Sequence, residues 1–414
     1  SPALSVRRGD ASLAEETVEA ALPGSGRQAL GRGGGLGAGR RAAAGNQGAL
    51  QGTGGGIDRL TAAMMVMLPV MQLLLFGYAI NTDVRHMPTV VLDQDRTAES
   101  RDLLRSMLAT GYYEYRGDVR NYDEIQRALR NGSARVGLVV QAGYAAALNG
   151  GRTAHLQLVV DGTDPQTVGS ALNTAGSLVA ARSNRIMVER LAARGASPGG
   201  PPIALEPNTW YNPELRTAMN IVPGIVGVIL TMTMVMLTAM AIARERERGT
   251  LEQLIVSPVG RGELVVGKIA PYILIGYVQM SLILGIGNTV FSVPVIGSLR
   301  LLYLLAFGFV AANLAIGLFF STIARTQQQA MQMSFFFLLP NILLSGFMFP
   351  FEGMPRPAQY ISNLLPLTHF MRIVRGIVLK GSTFDDALPE LQWLLGILAF
   401  LVIFTSIRFR KKLD

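Results

Sequence analysis

The sequence predicts an α-helical polytopic membrane protein with six transmembrane helices and one α/β extracytoplasmic domain inserted between spans 1 and 2. Two observations lead to this fold class. Of the 414 residues, 50% are hydrophobic and only 16% are charged, whereas soluble domains carry nearer a quarter charged residues. The chain also contains long charge-free runs, and about 20 apolar residues are enough to cross a bilayer. The runs of sufficient length are 60–82, 217–243, 269–299, 301–324, 326–351 and 391–407.

The first 56 residues differ from the rest of the chain. Between Gly31 and Gly56 nearly half of the residues are glycine, and no apolar periodicity is present. Such a composition buries too little surface to offset the entropy of ordering, so residues 1–56 are predicted to be a disordered, atypical N-terminal segment. Residues 57–82 then form the first transmembrane helix. No small-residue cleavage site follows this helix, which predicts a retained signal-anchor.

Residues 83–216 form the one sizeable hydrophilic stretch of the chain. Short β-like runs alternate with helical patterns, which is typical of an α/β domain. The Gly/Pro cluster at 199–202 is predicted to end the regular structure. Trp210 and Tyr211, just before the second span, fit an interfacial aromatic belt. The predicted strands are 88–94, 111–115, 135–141 and 155–162, and the predicted helices are 97–109, 122–130, a short one ending at 148, and 166–193.

Residues 217–412 are predicted to contain the other five transmembrane helices. The run 269–299 is long enough to include a loop near Pro294. Between the fifth and sixth spans lies an extracytoplasmic segment, residues 350–388, whose prolines interrupt regular helix. This segment remains apolar, so it is predicted to dip into the membrane or lie on it as short amphipathic helices. Backbone at that depth must be covered by protein, so the segment is expected to pack against the spans.

Basic residues in short loops predict the orientation of the chain, because they flank the cytoplasmic ends of spans. If six spans alternate, most basic loops fall on one side, which places both termini in the cytoplasm of a bacterial inner membrane. The net charge of +9 is therefore interpreted as a topology signal and not as a nucleic-acid surface. The basic residues on that side are Arg59, Arg244, Arg246, Arg248, Arg261, Lys268, Arg325, Arg408, Arg410, Lys411 and Lys412. The residues that depart from the rule are Arg356, Arg372, Arg375 and Lys380.

Little in the sequence indicates catalysis. Residues 262–269 resemble a P-loop, but Ile269 replaces the Ser or Thr that would hold magnesium and no buried strand precedes the segment. Cysteine is absent, and the histidines have no metal-ligand spacing, so no metal site and no cofactor are predicted. The paired carboxylates, Asp93 with Asp95 and Asp161 with Asp164, lie at strand ends, where Asx turns and helix caps favour aspartate. The histidines are His86, His155 and His369.

The predicted spans contain neutral amides but no Asp or Glu. Ionisable groups inside a membrane mark proton and ion relays, so their absence argues against the alternative function of an ion-coupled secondary transporter. The amides are predicted to form hydrogen bonds between helices, and some are candidates for a substrate path. The candidate path or gate residues are Gln72, Gln279, Asn313, Gln332, Asn341, Phe349, Phe351 and Glu352.

The loop 244–262 is the most polar segment between two charge-free runs. If it is helical, Leu251, Leu254 and Ile255 share one face, while Pro258 ends the helix near Val256. This pattern predicts a short amphipathic helix held against the cytoplasmic face by two spans. Two interpretations remain open at this point. The segment is either a docking surface for a soluble partner or a solvated loop of the positive-inside type.

Several stretches of the chain together resemble the permease subunits of type 2 ABC exporters. The resemblance covers about residues 57–412 and is closest to the drug-efflux-like subgroup, which has a large extracytoplasmic domain after the first span. The stretches are 68–88, 91–101 (VLDQDRTAESR), 161–165 (DGTDP), 244–258 (RERERGTLEQLIVSP) and 345–377.

The resemblance implies a membrane permease, not itself an ATPase, that exports a drug, lipid or similar amphiphile. A separate ATP-binding cassette subunit, which holds ATP and magnesium, would dock on the loop 244–262 as on the family's coupling helix. It also implies a second copy or a sister permease, surrounding membrane lipids, a re-entrant outer gate within 350–388, and a periplasmic membrane-fusion adaptor on the 83–216 domain. The residues implied to meet the ATPase subunit are Arg244, Glu245, Glu247, Arg248, Gly249, Thr250, Glu252, Gln253 and Ser257.

Overall fold

The computed structural model describes residues 84–194, 200–249 and 261–410, together with the isolated helical positions Met67, Val70 and Leu73. The main described ranges belong to one compact unit, residues 58–414. The predictions for residues 1–56, and most of the first predicted span, lie outside the described residues.

The N-terminal part of the described chain is an α/β unit built on a five-stranded mixed sheet. The strand order is β2-β1-β3-β4-β5. Strand β3 pairs with β4 in antiparallel fashion, and the other neighbouring pairs are parallel. The elements in chain order are β1 (Met87–Asp93), α1 (Ala98–Leu108), β2 (Tyr113–Asp118), α2 (Tyr122–Arg130), β3 (Val136–Val140), α3 (Tyr144–Asn149), β4 (Ala154–Asp161), α4 (Pro165–Arg194) and β5 (Ile203–Trp210).

Side chains alternate between the two faces of this sheet, and helices cover both. Leu156, Leu158 and Val160 of β4 pack in one core with residues of α1, α3 and α4. Val159 lies on the opposite face, in a smaller core with Ile125 and Leu129 of α2. Successive residues of a strand point to opposite sides of the sheet, so β4 contributes side chains to both cores. The helices and strands predicted between residues 88 and 193 are present near the expected positions.

Strand β5 was not predicted from the sequence. It follows the Gly/Pro cluster at 199–202 and pairs with β4 along its whole length. Trp210 is the last residue of this strand, and both Trp210 and Tyr211 pack against the core of the α/β unit that contains Ile125. Both side chains are only partly buried, and their place in an interfacial aromatic belt stays a prediction. The pairing of β5 with β4 places Trp210 at the end of the sheet, and Tyr211 follows it directly.

The rest of the described chain is helical. Among the described residues, four helices are long and apolar enough to cross a membrane: Thr217–Glu247, Ile269–Thr289, Leu299–Ile323 and Phe384–Thr405. The helices are α5 (Thr217–Glu247), α6 (Arg261–Thr289), α7 (Leu299–Ile323), α8 (Gln327–Leu344), α9 (Arg356–Ser362), α10 (Pro366–Lys380) and α11 (Phe384–Arg410), with a 3-10 turn at Phe351–Gly353.

Three of the predicted spans differ in detail from these helices. The run 269–299 contains a helix that ends at Thr289, so the loop expected near Pro294 is present. The run 326–351 contains only the 18-residue helix α8. Helix α11 begins at Phe384, before the predicted run 391–407, and therefore includes Asp385, Asp386 and Glu390. These acidic residues precede the predicted run 391–407, which itself contains no Asp or Glu.

The segment between α8 and α11 folds as short helices that pack on the longer ones. Helix α10 is buried on nearly every side, and its Phe370 stacks on Phe309 of α7 with ring centroids 4.0 Å apart. Leu367 of the same helix contacts α5 at Gly227, where an added Cβ would lie 2.5 Å from the leucine methyl carbon. The segment therefore forms part of the helical core and is covered by protein, as expected.

Helices α5 and α7 approach closely at Gly317. A Cβ placed there would lie 2.7 Å from the carbonyl oxygen of Val235 and 2.8 Å from Cβ of Thr238. We expect Gly317→Ala to destabilise the protein by about 1–3 kcal/mol, because backbone on the facing helix cannot move aside easily. Gly285→Ala is the matched control, since a Cβ added at that position would have no atom within 4 Å. Thermal unfolding in detergent should separate the two variants, and equal unfolding temperatures would contradict this packing.

Candidate functional site

A buried ion-pair network joins the α/β unit to the helical part of the chain. Asp161, at the end of β4, is 1% exposed and accepts hydrogen bonds from Arg135 Nη1 at 2.8 Å and Lys380 Nζ at 2.5 Å. Arg135 also pairs through Nε with Glu352 at 2.8 Å. Lys380 is the last residue of α10, and its Nζ donates a further hydrogen bond to the carbonyl of Leu129. The network therefore links β4, α2 and the residue before β3 to the segment after α8.

Electrostatics keep the Asp161 carboxylate ionised in this buried position. Burial opposes its charge, but Lys380 and Arg135 outweigh that effect and lower the pKa of Asp161 to about 2. The same cluster raises the pKa of Arg135, with Glu352 as the main cause. Burial acts in the opposite sense on Lys380 and lowers the pKa of its ammonium group, although Asp161 counteracts part of that effect.

The aspartates at the strand ends also perform the local roles expected of them. Asp161 Oδ1 accepts from the backbone N–H and the hydroxyl of Thr163, and Asp164 caps the start of α4 through Gln166 N and Thr167 Oγ1. Asp95 accepts from the backbone N–H groups of Gly143 and Ala145 at the start of α3. The predicted Asx turns and helix caps are confirmed, and Asp161 combines this role with the ion pairs.

A second polar cluster surrounds His369 on α10. Its Nδ1 lies 2.5 Å from Glu390 Oε2, and its Nε2 lies 2.8 Å from the carbonyl oxygen of Asn363. Glu390 also accepts from Arg372 at 3.1 Å, and the imidazole stacks on Trp393. Both partners of Glu390 come from α10, and Arg372 is the cation that pairs with this acidic residue of α11. Among the described residues, no group of His, Asp and Glu has a geometry that could hold a metal ion.

The opposite end of the helices carries the first turn of the predicted coupling segment. Arg246 Nη1 donates to the carbonyl of Ala324 at 2.8 Å, and Arg244 Nε donates to Gln327 Oε1 at 3.1 Å. Glu247 accepts from the backbone N–H of Gln327 at 2.8 Å. These bonds join the end of α5 to the start of α8. Asn220, near the start of α5, contacts Arg375 of α10, so the segment after α8 meets the other end of the same helix.

The predicted coupling helix is only partly visible in this arrangement. Residues 244–247 are the last turn of α5, not the start of a separate helix as predicted, and Arg248 is the C-cap of this helix. Gly249 follows with φ +69°, a conformation in which glycine is favoured. Glu245 lies in that last turn. Thr250, Glu252, Gln253 and Ser257 lie outside the described residues.

The candidate path and gate residues occupy different environments. Gln279 of α6 accepts a hydrogen bond from Thr233 of α5 at 2.8 Å, which is a bond between helices as expected. Asn313 is buried and donates to the carbonyl of Phe309, while its Oδ1 has no partner among the described residues. Gln332 Oε1 and both amide atoms of Asn341 are also buried without described partners. Gln72 lies outside the described residues.

The candidate gate residues Phe349, Phe351 and Glu352 are partly buried and contact other parts of the protein. Glu352 is held by Arg135, and the guanidinium of Arg372 lies 4.6 Å from the ring centroid of Phe351. Phe349 packs against Leu344 and Leu365. This segment therefore contacts the α/β unit and the ends of the helices. Sequence reasoning missed Arg135 and Asn220, although the basic residues that broke the positive-inside rule, Arg375 and Lys380, were a signal that acidic or polar partners existed.

The unpartnered amide of Asn341 gives a test of the candidate path. Its side chain is fully buried in α8, and a buried amide without a hydrogen bond costs about 1–3 kcal/mol. We expect the nearly isosteric Asn341→Leu to raise the unfolding temperature and to lower transport. Asn288→Leu is the control, because Asn288 Nδ2 donates to the carbonyl of Val293 and its loss should destabilise. Unchanged transport in a more stable Asn341→Leu variant would remove Asn341 from the path.

Comparison with known proteins decides the family of this chain. A family model described as "ABC-2 family transporter protein" matches residues 59–407. The chain belongs to the ABC-2 transporter family. Membership of this ABC-2 family makes the chain a membrane subunit of an ABC transporter, a multi-pass permease that is not itself an ATPase. It also implies an ATP-binding cassette partner and a dimeric arrangement.

Individual ABC-2 relatives agree with this assignment. The chain is 28% identical over 352 residues to "Probable multidrug ABC transporter permease YbhR" of Escherichia coli, which covers 85% of this chain and 94% of that protein. It is also 28% identical over 351 residues to YbhS, a protein of the same description, covering 84% and 92% of the two chains. "ABC transporter G family member 20" of Dictyostelium discoideum is 23% identical over 84% of this chain and 48% of its own length.

Proposed function

We propose that this permease exports an amphiphilic or hydrophobic substrate, such as a drug or lipid, out of the cytoplasm of a bacterium. A separate ATP-binding cassette subunit, carrying ATP and magnesium, docks on residues 244–262 and drives the helices. The names of the E. coli relatives, which describe probable multidrug permeases, support the substrate class. The neutral and apolar side chains of the spans are compatible with an amphiphile.

The observation that carries this proposal is the separation of two polar regions along α5. The coupling segment begins at its C-terminal end, where Arg246 binds the α7–α8 loop. The α/β unit and the segment after α8 meet its other end near Asn220. With six spans and cytoplasmic termini, the first region faces the ATPase and the second lies outside the cell. Helix α5 and its neighbours then transmit movement from the cassette to the outer segment within 350–388, which acts as the gate.

Transport in inverted membrane vesicles tests the proposal. Vesicles containing the permease together with its cassette subunit should accumulate a fluorescent amphiphile such as ethidium when ATP is added. A non-hydrolysable ATP analogue should not support accumulation, and a protonophore should not abolish it. Accumulation that needs a proton gradient but no ATP would instead establish the alternative, a secondary ion-coupled transporter. The buried pair of His369 and Glu390 is the feature that such a mechanism would have to use.

Two further partners belong to the same proposal. A second copy or a sister permease completes the transport path, and a periplasmic membrane-fusion adaptor binds the 83–216 domain. Crosslinking of the permease in cells would identify both. A crosslink between two copies that survives removal of the α/β unit would assign the dimer contact to the helices.

A further inference from the structure

A cavity of about 730 Å³ lies where the α/β unit meets the ends of the helices. The α/β unit contributes Arg130, Arg135 and Asp164 to its lining. The helical part contributes residues that follow α8 and residues of α9, α10 and the first turns of α11. Cationic residues dominate the charged lining: Arg116, Arg130, Arg135, Arg356, Arg372, Arg375 and Lys380, against Glu114, Asp164, Glu352, Asp386 and Glu390.

Most of these cations are already compensated by carboxylates. Arg116 pairs with Glu114, Arg130 with Asp386 and Arg372 with Glu390. Arg135 and Lys380 belong to the buried network of Asp161. These pairs leave two arginines of the cavity, Arg356 and Arg375, for which the described residues provide no ion pair.

Arg375 is the more unusual of the two. Its Nη1 donates to the carbonyl of Gly346 at 3.0 Å, and its Nη2 donates to the side-chain oxygen of Asn220. Both acceptors are neutral, and its Nε is buried with no partner among the described residues. Asp164 attracts it only from beyond ion-pair distance. The side chain is partly buried, and a guanidinium in such a position without a bonded anion is stabilised by a further anionic partner.

The position of the cavity indicates where this anion comes from. Asp386 and Glu390 lie in the first two turns of α11, and Gly346 follows the end of α8. Candidate spans begin at Thr217 and Phe384, so the cavity lies at the depth where spans leave the hydrocarbon and meet lipid headgroups. Trp393, one turn further along α11, is 51% exposed, as aromatic residues at a membrane interface are. Apolar lining residues, among them Phe351, Met354 and Met371, complete an amphiphilic site.

We propose that this cavity binds the phosphate headgroup of an anionic amphiphile, with Arg375 and Arg356 as the ligands of the phosphate. Arginine suits this role because its planar guanidinium donates two parallel hydrogen bonds to phosphate oxygens. A membrane lipid reaches the site from the adjacent bilayer, and a soluble phosphate reaches it from the aqueous side. The site does not depend on the direction of transport.

Binding to the purified full-length permease in neutral detergent tests the proposal. The probes are phosphatidylglycerol, phosphatidylcholine and soluble glycerol phosphate, and the readout is the shift in unfolding temperature as each is titrated. We expect phosphatidylglycerol to stabilise the protein and phosphatidylcholine to do so far less. Stabilisation by glycerol phosphate alone would support the same anion site with a soluble source. Equal stabilisation by the anionic and zwitterionic lipids would overturn the proposal.

Variants connect the effect to the cavity. Arg356→Gln should fold normally, because the Arg356 side chain is exposed and bonded to no described residue. This variant should bind phosphatidylglycerol about tenfold more weakly, which corresponds to the loss of one charged hydrogen bond. Arg375→Gln should abolish the effect, and Arg375→Lys should retain part of it. Arg185→Gln, on the exposed face of α4, is the matched control and should bind as the original protein does. Normal binding by Arg356→Gln and by a folded Arg375→Gln would overturn the assignment.

Discussion

Replacing Asp161 with asparagine is expected to destabilise the folded permease by about 3–5 kcal/mol, because the change leaves buried cations without their anion. The side chain is 1% exposed and holds both Arg135 and Lys380. Asparagine keeps the size of the residue and the acceptor for Thr163, so the local turn survives. The loss therefore falls on the connection between the α/β unit and α10. Thermal unfolding in detergent and proteolysis of the α/β unit should both report it.

Two further variants make this expectation specific. Asp102→Asn also removes an ion pair, with Arg182, but Asp102 is 57% exposed, so we expect a change of no more than about 1 kcal/mol. Combining Asp161→Asn with Lys380→Met should recover much of the loss, because Arg135 retains Glu352. If Asp161→Asn unfolds at the same temperature as Asp102→Asn, the network does not hold the two parts of the chain together.

Replacing Arg248 and Glu252 together with alanine is expected to abolish transport without unfolding the permease. Arg248 is exposed at the end of α5, and both residues belong to the segment proposed to meet the cassette subunit. Charged and arginine contacts at the centre of an interface each contribute about 2 kcal/mol or more. Losing two such contacts should weaken the complex by at least about a hundredfold. Co-purification of the cassette subunit and permease-stimulated ATP hydrolysis are the measurements.

The matched control is Arg185→Ala with Glu189→Ala. These residues have the same charges and the same four-residue spacing, and both are exposed on α4 of the α/β unit. The control pair should leave the complex and its ATP hydrolysis unchanged. An intact complex in the Arg248 and Glu252 variant would show that the cassette subunit docks elsewhere.

Local sequence patterns predicted the elements of the α/β unit well. The short-range signals are the continuous apolar run Val136–Val140, the partly alternating run Ala154–Asp161 and the aspartates at strand ends. Charge-free runs likewise located the apolar helices. Strand β5 was missed because its burial is intermediate along most of its length, so its place in the sheet depends on pairing with β4 and not on its own hydrophobicity.

The polar contacts between distant segments could not be predicted in the same way. Lys380 meets Asp161 and Leu129 across more than 200 positions of sequence, and no local pattern encodes that pairing. The basic residues at 372–380 were visible as exceptions to the positive-inside rule, yet the rule does not say which partners neutralise them. The C-terminal end of α5 also depends on contacts between distant segments, which the apolar run 217–243 does not reveal. The helix continues past the apolar run because Arg246 and Glu247 find partners in the α7–α8 loop and the start of α8.

The central claim is that residues 244–262 face the cytoplasm while the α/β unit lies outside the cell. The chain contains no cysteine, so single cysteines can be labelled without background. In intact spheroplasts, a membrane-impermeant maleimide should label Asn184→Cys on α4 and leave Ser257→Cys unlabelled. In inverted vesicles the pattern should reverse. Labelling of Ser257→Cys from outside intact spheroplasts would contradict the account, because no ATP-driven subunit could then reach this segment.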